Sequence, residues 1–494
     1  MLSSSDLTDL ESVEDFDRSD SALLAPCPRI AITCPAVGKG SMVRLMHWAT
    51  PQERRSLGQA RRKQIGRQQH HELNPKARKT PALELLARSM QGRVPALIKL
   101  KYKLMAESPF GYFRGAVPVM AADLAVLPNA GITAQLCGDA HVRNLGAYAA
   151  PDGRLVFDIN DFDETIRGPF EWDLKRMAAS LVLAGRASGH KEASARQAVE
   201  KFVARYASQI AAFSKMPLLD MARCQVHRLG QVAPIHQALL QAERATPQHT
   251  LEQLTEFTAP PFPREREEES AAGASDRHFK EIKPTLTRVT GQQAAAVVGS
   301  LGPYREMLEP QRQHLLSFYR PVDVAFKVVG TGSVGLRDYC IYFEGNGPND
   351  PLFLQIKEEP ASAYAPYLPD ARSPHHNGQR TAEGQKAMQA QSDPFLGWTH
   401  FGGRDYLVRQ LNDHKGSIDL EDLAGGGLEA YAEVCGELLA RGHARSGDPL
   451  VLNGYIGSGD GFGEALAKFG AAYADQTEKD WKELCRSAKA GAKA

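Results

Sequence analysis

The chain has 494 residues, room for about three average domains or two large lobes, and its 43% hydrophobic and 24% charged residues describe an ordinary globular protein. Such a chain buries a core without metal or disulfide staples. Lys+Arg (59) and Asp+Glu (58) nearly cancel to a formal net charge of +1, which gives no sign of bulk electrostatic attraction to nucleic acid or to a membrane surface and leaves room only for a local charged patch.

The seven cysteines are odd in number and form no CxxC pair, which argues against a disulfide framework. No apolar run approaches the roughly 18 residues of a spanning helix. The acidic start, Met1-Leu-Ser-Ser-Ser-Asp6, is unlike a signal peptide. These features predict a cytoplasmic protein with neither membrane nor nucleic-acid partners.

In chain order, residues 1–40 are Ser/Asp/Glu-rich and then Pro/Gly-punctuated, and predict a disordered leader. Residues 51–80 are basic, including Arg54, Arg55, Arg61, Arg62, Lys63 and Arg67. They read as a solvated helix face or as a phosphate- or partner-binding arm. The apolar spacing from Leu83 to Met105 is helical. Short strands are predicted at Ile132–Cys137 and Leu155–Ile159, then helices at Leu174–Ala184 and Ala195–Phe213. Pro260 to Ser275, Pro-rich and highly charged, predicts a linker or flexible loop. Beyond it, Val322–Val329, Tyr339–Phe343 and Leu352–Ile356 predict a three-strand antiparallel meander. A helix at Thr381–Gln391, a strand at Tyr406–Leu411 and a helix at Leu428–Arg441 follow.

Three clusters carry candidate chemistry. The first is Gly138-Asp139-Ala140-His141-Val142-Arg143-Asn144, after the first strand. The second is Asp158-Ile159-Asn160-Asp161-Phe162-Asp163-Glu164, joined to it through a hairpin turn at Ala150–Gly153. So many acidic groups at strand ends are costly to bury unless a cation or many hydrogen bonds compensate. Hard oxygen ligands of this kind suit Mg²⁺. Taken singly, Asp158, Asn160, Asp161 and Asp163 read equally as self-capping turn residues, and His141 as a hydrogen-bonded structural histidine.

The third cluster is Gly330-Thr331-Gly332-Ser333-Val334-Gly335, a G-x-G-x-x-G loop whose glycines let backbone amides approach phosphates. A strand-like segment follows it rather than a helix, which is the protein-kinase context and not the dinucleotide-binding one. That context calls for a lysine on a following strand, supplied by Lys357, and for a carboxylate partner from the next helix. Glu383 is the candidate, with Glu358 and Glu359 competing. Together the pieces form a phosphotransferase kit. Asp139 orients or deprotonates an acceptor hydroxyl beside His141; Asn144, Asp161 and Asp163 hold Mg²⁺; the loop covers the phosphates of ATP and Lys357 binds them. Arg114, Arg167, Arg337 and Arg409 are further candidate phosphate ligands.

Gly138-Asp139-Ala140-His141-Val142-Arg143-Asn144 resembles the G-D-x-H-x-x-N catalytic loop of aminoglycoside phosphotransferase-type small-molecule kinases. Asn160-Asp161-Phe162-Asp163 resembles their metal motif, and Gly168-Pro169-Phe170-Glu171-Trp172-Asp173-Leu174 the P-x-x-x-D-L segment after it. Ser108-Pro109-Phe110, Phe113-Arg114-Gly115, Gln355-Ile356-Lys357, Val408-Arg409-Gln410-Leu411 and His443 to Asp448 extend a likeness to a large bacterial family of unknown function, over roughly residues 50–485. The resemblance implies an α+β, protein-kinase-like two-lobed fold and names no substrate. In ordinary kinases the glycine loop and lysine come first. Here they follow the catalytic and metal motifs, so a circular permutation is expected. Residues 41–245 then form the helical lobe and 246–319 a linker with helices. Residues 320–415 form the nucleotide lobe, and 416–494 are helices returning to the helical lobe.

One rival keeps the usual order by taking Asp448, Asn453 and Asp460 as the catalytic and metal residues. Other classes stay open: a catalytically inactive nucleotide sensor or scaffold of the same fold, and a metal-dependent hydrolase using the Asp/His cluster alone. The acceptor is not legible from one sequence.

Overall fold

The computed structural model describes residues 49–225, 231–257, 277–328, 330–368, 374–411 and 414–491. The expected leader at 1–40 and the Pro-rich stretch at 260–275 lie outside these residues.

The basic N-terminal segment folds as a helix, Pro51–Gln64, opened by Thr50, whose side chain caps Glu53 in a reciprocal capping box. Several of its cations turn inward, while Arg61 and Lys63 stay exposed. Arg54 Nε lies 2.6 Å from Asp448, Arg67 donates to the Ile456 carbonyl at 2.5 Å, and Arg78 just beyond pairs with Asp123 at 2.7 Å. Gly58 lets this helix lie directly on Pro449–Ile456, since a Cβ there would collide with the Val451 carbonyl.

The single helical stretch expected from Leu83 to Met105 is two helices, Ala82–Ser89 and Pro95–Ala106. The chain turns at Gly92, in the left-handed region at φ 79°, and Pro95 starts the second helix. The apolar spacing runs through this break, which is why periodicity alone merges the pair.

The strands, in chain order, are β1 (Thr133–Leu136), β2 (Leu145–Ala149), β3 (Leu155–Ile159), β4 (Ile166–Pro169), β5 (Thr255–Phe257), β6 (Arg277–Phe279), β7 (Leu286–Val289), β8 (Arg320–Lys327), β9 (Asp338–Glu344), β10 (Pro351–Glu358), β11 (Gly397–Phe401), β12 (Arg404–Gln410) and β13 (Gly416–Ser417). β2 and β3 form the expected hairpin, with Ala147 opposite Phe157. β1 pairs antiparallel with β4. The expected three-strand meander is the middle of a six-stranded antiparallel sheet, ordered β11-β12-β10-β9-β8-β7. Every residue of β9 and β10 is buried. Tyr304 and Val297 cover one face of the sheet with Ile341, Leu354 and Ile356. Phe279 and Leu251 cover the other with Cys340, Tyr342 and Phe353. Burial on both faces explains apolar runs without alternation.

The largest core is helical. The Glu171–Ala187 helix is buried at every residue from Glu171 to Gly185. It sits among the helices Glu192–Phe213, Gly427–Ser446 and Phe462–Gly491, whose Phe202, Tyr431, Leu438, Leu466 and Phe469 share its core. β13 pairs with β2, so the segment leaving the large sheet is stitched to the hairpin that follows the Gly138–Asn144 loop. The protein is an α+β chain built on antiparallel sheets.

Candidate active site

β1 delivers the chain to Gly138, held at φ 84°, where a Cβ would strike the Glu164 carbonyl. Asp173, in the first turn of its helix, accepts the Cys137 and Gly138 amides at 2.8 and 3.0 Å. His443 lies 3.2 Å from the same carboxylate and is itself held by the Tyr206 hydroxyl at 2.8 Å. The loop backbone is therefore fixed from beneath by a buried network.

On this loop, Asp139 meets the fully buried Arg176, whose Nε donates to its carboxylate at 2.6 Å. Burial raises the Asp139 pKa, against the opposing pull of Arg176 and Arg114. The Asn144 side chain donates to the Asp139 carbonyl at 2.9 Å, leaving its own amide oxygen for another partner. His141 Nδ1 accepts the Arg143 amide at 3.1 Å, which places the ring proton on Nε2, 3.6 Å from Asp139. Burial, then Arg114, push the His141 pKa well down, so the ring is neutral.

β3 leads into Asn160-Asp161-Phe162-Asp163, anchored by Phe162 in the helical core. Lys357, near the end of β10, donates to Asp163 Oδ1 at 2.6 Å and lies 3.9 Å from Asp161. Burial would raise the Asp163 pKa, but the Lys357 charge and hydrogen bond hold it well below the usual carboxylate range. Asp161, beside that second carboxylate, is raised by burial and by Asp163. Burial disfavours the Lys357 charge, yet Asp163 and Asp161 raise its pKa. Asp158 belongs elsewhere: it is buried against Arg441 and serves the core.

The glycine loop lies over this pair. Ser333 Oγ donates to Asp163 at 3.0 Å. Lys101 donates to the Thr331 and Gly332 carbonyls at 3.0 and 2.6 Å. The Gly335 carbonyl accepts the Val94 amide at 2.7 Å, and Gly330 and Gly335 take positive φ, 50° and 90°. The structure thus brings Asp139, His141, Asn144, Asp161, Asp163, Ser333 and Lys357 into one connected region, with its two halves 194 residues apart in the chain.

Glu383 is not brought there. It is exposed, and its carboxylate accepts from Gln379 at 2.8 Å. The Asn377–Met388 helix turns Arg380, Thr381 and Gln385 inward instead, which puts Glu383 on the outer face. The carboxylate that raises the Lys357 pKa besides the two aspartates is Glu359, bonded to Thr381 at 3.2 Å. Burial pushes the Glu359 pKa well up. Arg380 donates to the Asp163 and Thr165 carbonyls at 2.9 and 2.6 Å, fixing the acidic segment through its backbone. Glu358 is engaged by Arg404 at 2.7 Å and Arg337 at 3.1 Å.

Of the other candidate arginines, Arg167 is bonded to the Ser446 carbonyl at 3.0 Å. Arg409 donates to Gln355 at 2.8 Å and to the Asn160 carbonyl at 3.3 Å. Arg114 faces Asp139 and Asp161, and its buried Nε has no hydrogen-bond partner. The rival triad does not assemble. Asp448 caps its helix and pairs with Arg54, Asn453 donates to Ser214 at 3.0 Å, and Asp460 bonds Ser458 in a turn.

Sequence reasoning missed Arg93, Lys101, Arg176, Arg380 and Lys415. Lys101, Arg176 and Arg380 sit in helices and Arg93 and Lys415 in connecting segments, with nothing local to mark any of them; only proximity in the fold does. Asp161 and Asn144 offer a carboxylate and a side-chain amide, hard oxygen donors of the kind that suit Mg²⁺, whereas both oxygens of Asp163 are engaged by Lys357 and Ser333. The one three-ligand histidine–carboxylate group among the described residues, His376, His400 and Asp405, includes neither Asp139 nor His141.

Comparison with curated proteins gives no match, and comparison with solved structures gives none. The model of a family described as "Uncharacterized protein conserved in bacteria (DUF2252)" matches residues 93–487, which span both halves of the site. The chain belongs to this family.

Proposed function

We propose that the protein is a Mg²⁺- and ATP-dependent phosphotransferase of the protein-kinase-like class, circularly permuted, acting on a hydroxyl of a small molecule or protein. The observation that carries this reading is the Lys357–Asp163 contact at 2.6 Å beneath Ser333 of the glycine loop. Loop, lysine and acidic motif meet from chain segments in reversed order, and phosphoryl transfer asks for convergence rather than order. A strand–glycine loop–strand–lysine succession, β8 to β10, supports the same reading.

When bound, Mg²⁺ neutralises phosphate charge. Asp161 and Asn144 are its natural holders, because Asp163 is engaged by Lys357 and Ser333. Lys357 then exchanges its aspartate for phosphate oxygens, and Arg114 supplies a second cation on the Asp139 side. Asp139 orients the acceptor hydroxyl. Isothermal titration with ATP and Mg²⁺ tests the reading: binding that is lost in Lys357→Ala supports it, and no binding with or without Mg²⁺ ends it.

A second reading, a nucleotide sensor without turnover, is favoured by one observation. Asp139 Oδ1 is already engaged by the fully buried Arg176, which leaves that oxygen occupied when an acceptor hydroxyl arrives. ATP consumption that falls in Asp139→Asn separates the two readings; binding without consumption favours the sensor.

A further inference from the structure

We propose that Arg409 and Lys415 form a phosphate-binding subsite at the β12–β13 end of the cleft, away from the glycine loop. This deepens the phosphotransferase reading and rests on it. It says that a phosphate, from the nucleotide or from a phosphorylated acceptor, occupies the end where an apolar base-binding surface would ordinarily be expected.

The placement follows from register. Gln355 and Lys357 stand on the same face of β10, one pleat repeat apart, or roughly 7 Å. Arg409 on β12 is the direct partner of Gln355, so it continues the line of positive charge from Lys357 along that face. Lys415 follows on the segment leading into β13. Arg409 and Lys415 both line a small cavity of about 60 Å³, partly open to solvent, together with Tyr148, Asn160, Gln385 and Gln389.

The chemistry of this end is ionic. Small-molecule sites are normally walled by apolar side chains. Here Asp338, Gln355 and Arg409 occupy the corresponding sheet face, with Gln355 donating to Asp338 at 2.7 Å. Arg409 and Lys415 repel one another. Arg409 is the largest influence lowering the Lys415 pKa, and Lys357 and Lys327 add to it. Asp161 opposes this, yet Arg409, Lys357 and Lys327 outweigh it. The remaining acid on the cavity wall, Asp393, already accepts the Gln410 and Phe395 amides, at 2.5 and 2.8 Å. An entering phosphate dianion relieves this repulsion and gains charge-assisted hydrogen bonds. Gln385 Oε1, buried without a hydrogen-bond partner, lines the same cavity and offers an acceptor to a hydroxyl or amine on the same ligand.

The test uses the full chain, with inorganic triphosphate, pyrophosphate, ATP and adenosine as probes, each with Mg²⁺ in isothermal titration. Lys415→Gln is the clean variant, since the side chain is solvent-accessible; an unchanged melting temperature confirms the fold. The expected result is binding of inorganic triphosphate that weakens about tenfold in Lys415→Gln, one charge-assisted contact being lost. Weakened ATP binding in that variant assigns the subsite to the nucleotide's own phosphates. Weakened pyrophosphate binding at saturating ATP, with ATP affinity unchanged, assigns it to a phosphorylated acceptor. If Lys415→Gln binds triphosphate, pyrophosphate and ATP as the parent does, the subsite is refuted. The phosphotransferase reading survives that result provided Lys357→Ala still abolishes ATP binding. Absence of binding of every phosphorylated probe to the parent protein overturns both.

Discussion

Lys357 and Asp163 form an ion pair at 2.6 Å, and Ser333 of the glycine loop donates to the same carboxylate at 3.0 Å. A lysine so placed holds the acidic segment, and on the phosphotransferase reading it is the group that would turn to phosphate oxygens. Lys357→Met should cost roughly 3 kcal/mol in chemical denaturation, because it strands a largely buried carboxylate. The same variant should weaken Mg·ATP binding by at least about tenfold. Asp163→Asn combined with Lys357→Met should recover part of the stability and none of the binding.

Arg176 and Asp139 are coupled in the same way. Arg176→Met should destabilise by about 3 kcal/mol, since it leaves Asp139 buried without its cation. Adding Asp139→Asn should restore a good part of that loss, giving a coupling energy of about 1–3 kcal/mol in a double-mutant cycle. Strictly additive losses would show that the pair does not interact.

Lys101 pins the glycine loop through two carbonyls, at 3.0 and 2.6 Å. Burial, then Arg93, lower its pKa well below that of a free lysine. Lys101→Met should free Thr331–Gly335, raising amide hydrogen exchange there about tenfold while β9 and β10 stay protected. Unchanged exchange would mean that Val94, on the Gly335 carbonyl, and Arg93, which donates to the Val334 carbonyl at 2.6 Å, suffice to hold the loop.

Glu171 predicts a pH dependence. Burial raises its pKa to about 7, although the Ala130 amide donates to it at 2.5 Å. Its neighbour Lys175 is lowered to about 8, chiefly by burial. A carboxyl whose folded pKa lies above its unfolded value favours folding while protonated. That contribution is full below pH 4.5 and is lost as pH rises through about 7. Glu171→Gln should therefore gain on the parent between pH 5 and pH 8, by on the order of 2–3 kcal/mol. Parallel stability curves for the two proteins across that range would contradict the assignment.

The local parts of this fold were legible because their signals are local. The β2–β3 hairpin rests on alternating strands around Ala150-Pro151-Asp152-Gly153, and the glycine loop on its own spacing between two strands. Lys357 follows from the loop by counting strands. What failed to show was which way a helix faces. Glu383 and Arg380 lie three residues apart on the Asn377–Met388 helix, and only its seat beside β11 and β12 decides which of them turns inward. Lys101 and Arg176 read as ordinary helix residues because their partners, at 331–332 and 139, come from other segments. The β7 strand and the sheet's full width were missed for a similar reason. Leu286–Val289 is only four residues long, and it owes its place to pairing with β8.

The 194 residues between Asp163 and Lys357 also order events during synthesis. At about 5–20 residues per second, the acidic segment leaves the ribosome roughly 10–40 seconds before the lysine that neutralises it. For that interval the nascent chain carries two adjacent aspartates with no Lys357 to balance them. Free Mg²⁺ in the cell is a ready counterion for such a segment, and ribosome-bound chains halted before residue 350 should resist proteolysis better when the cation is supplied.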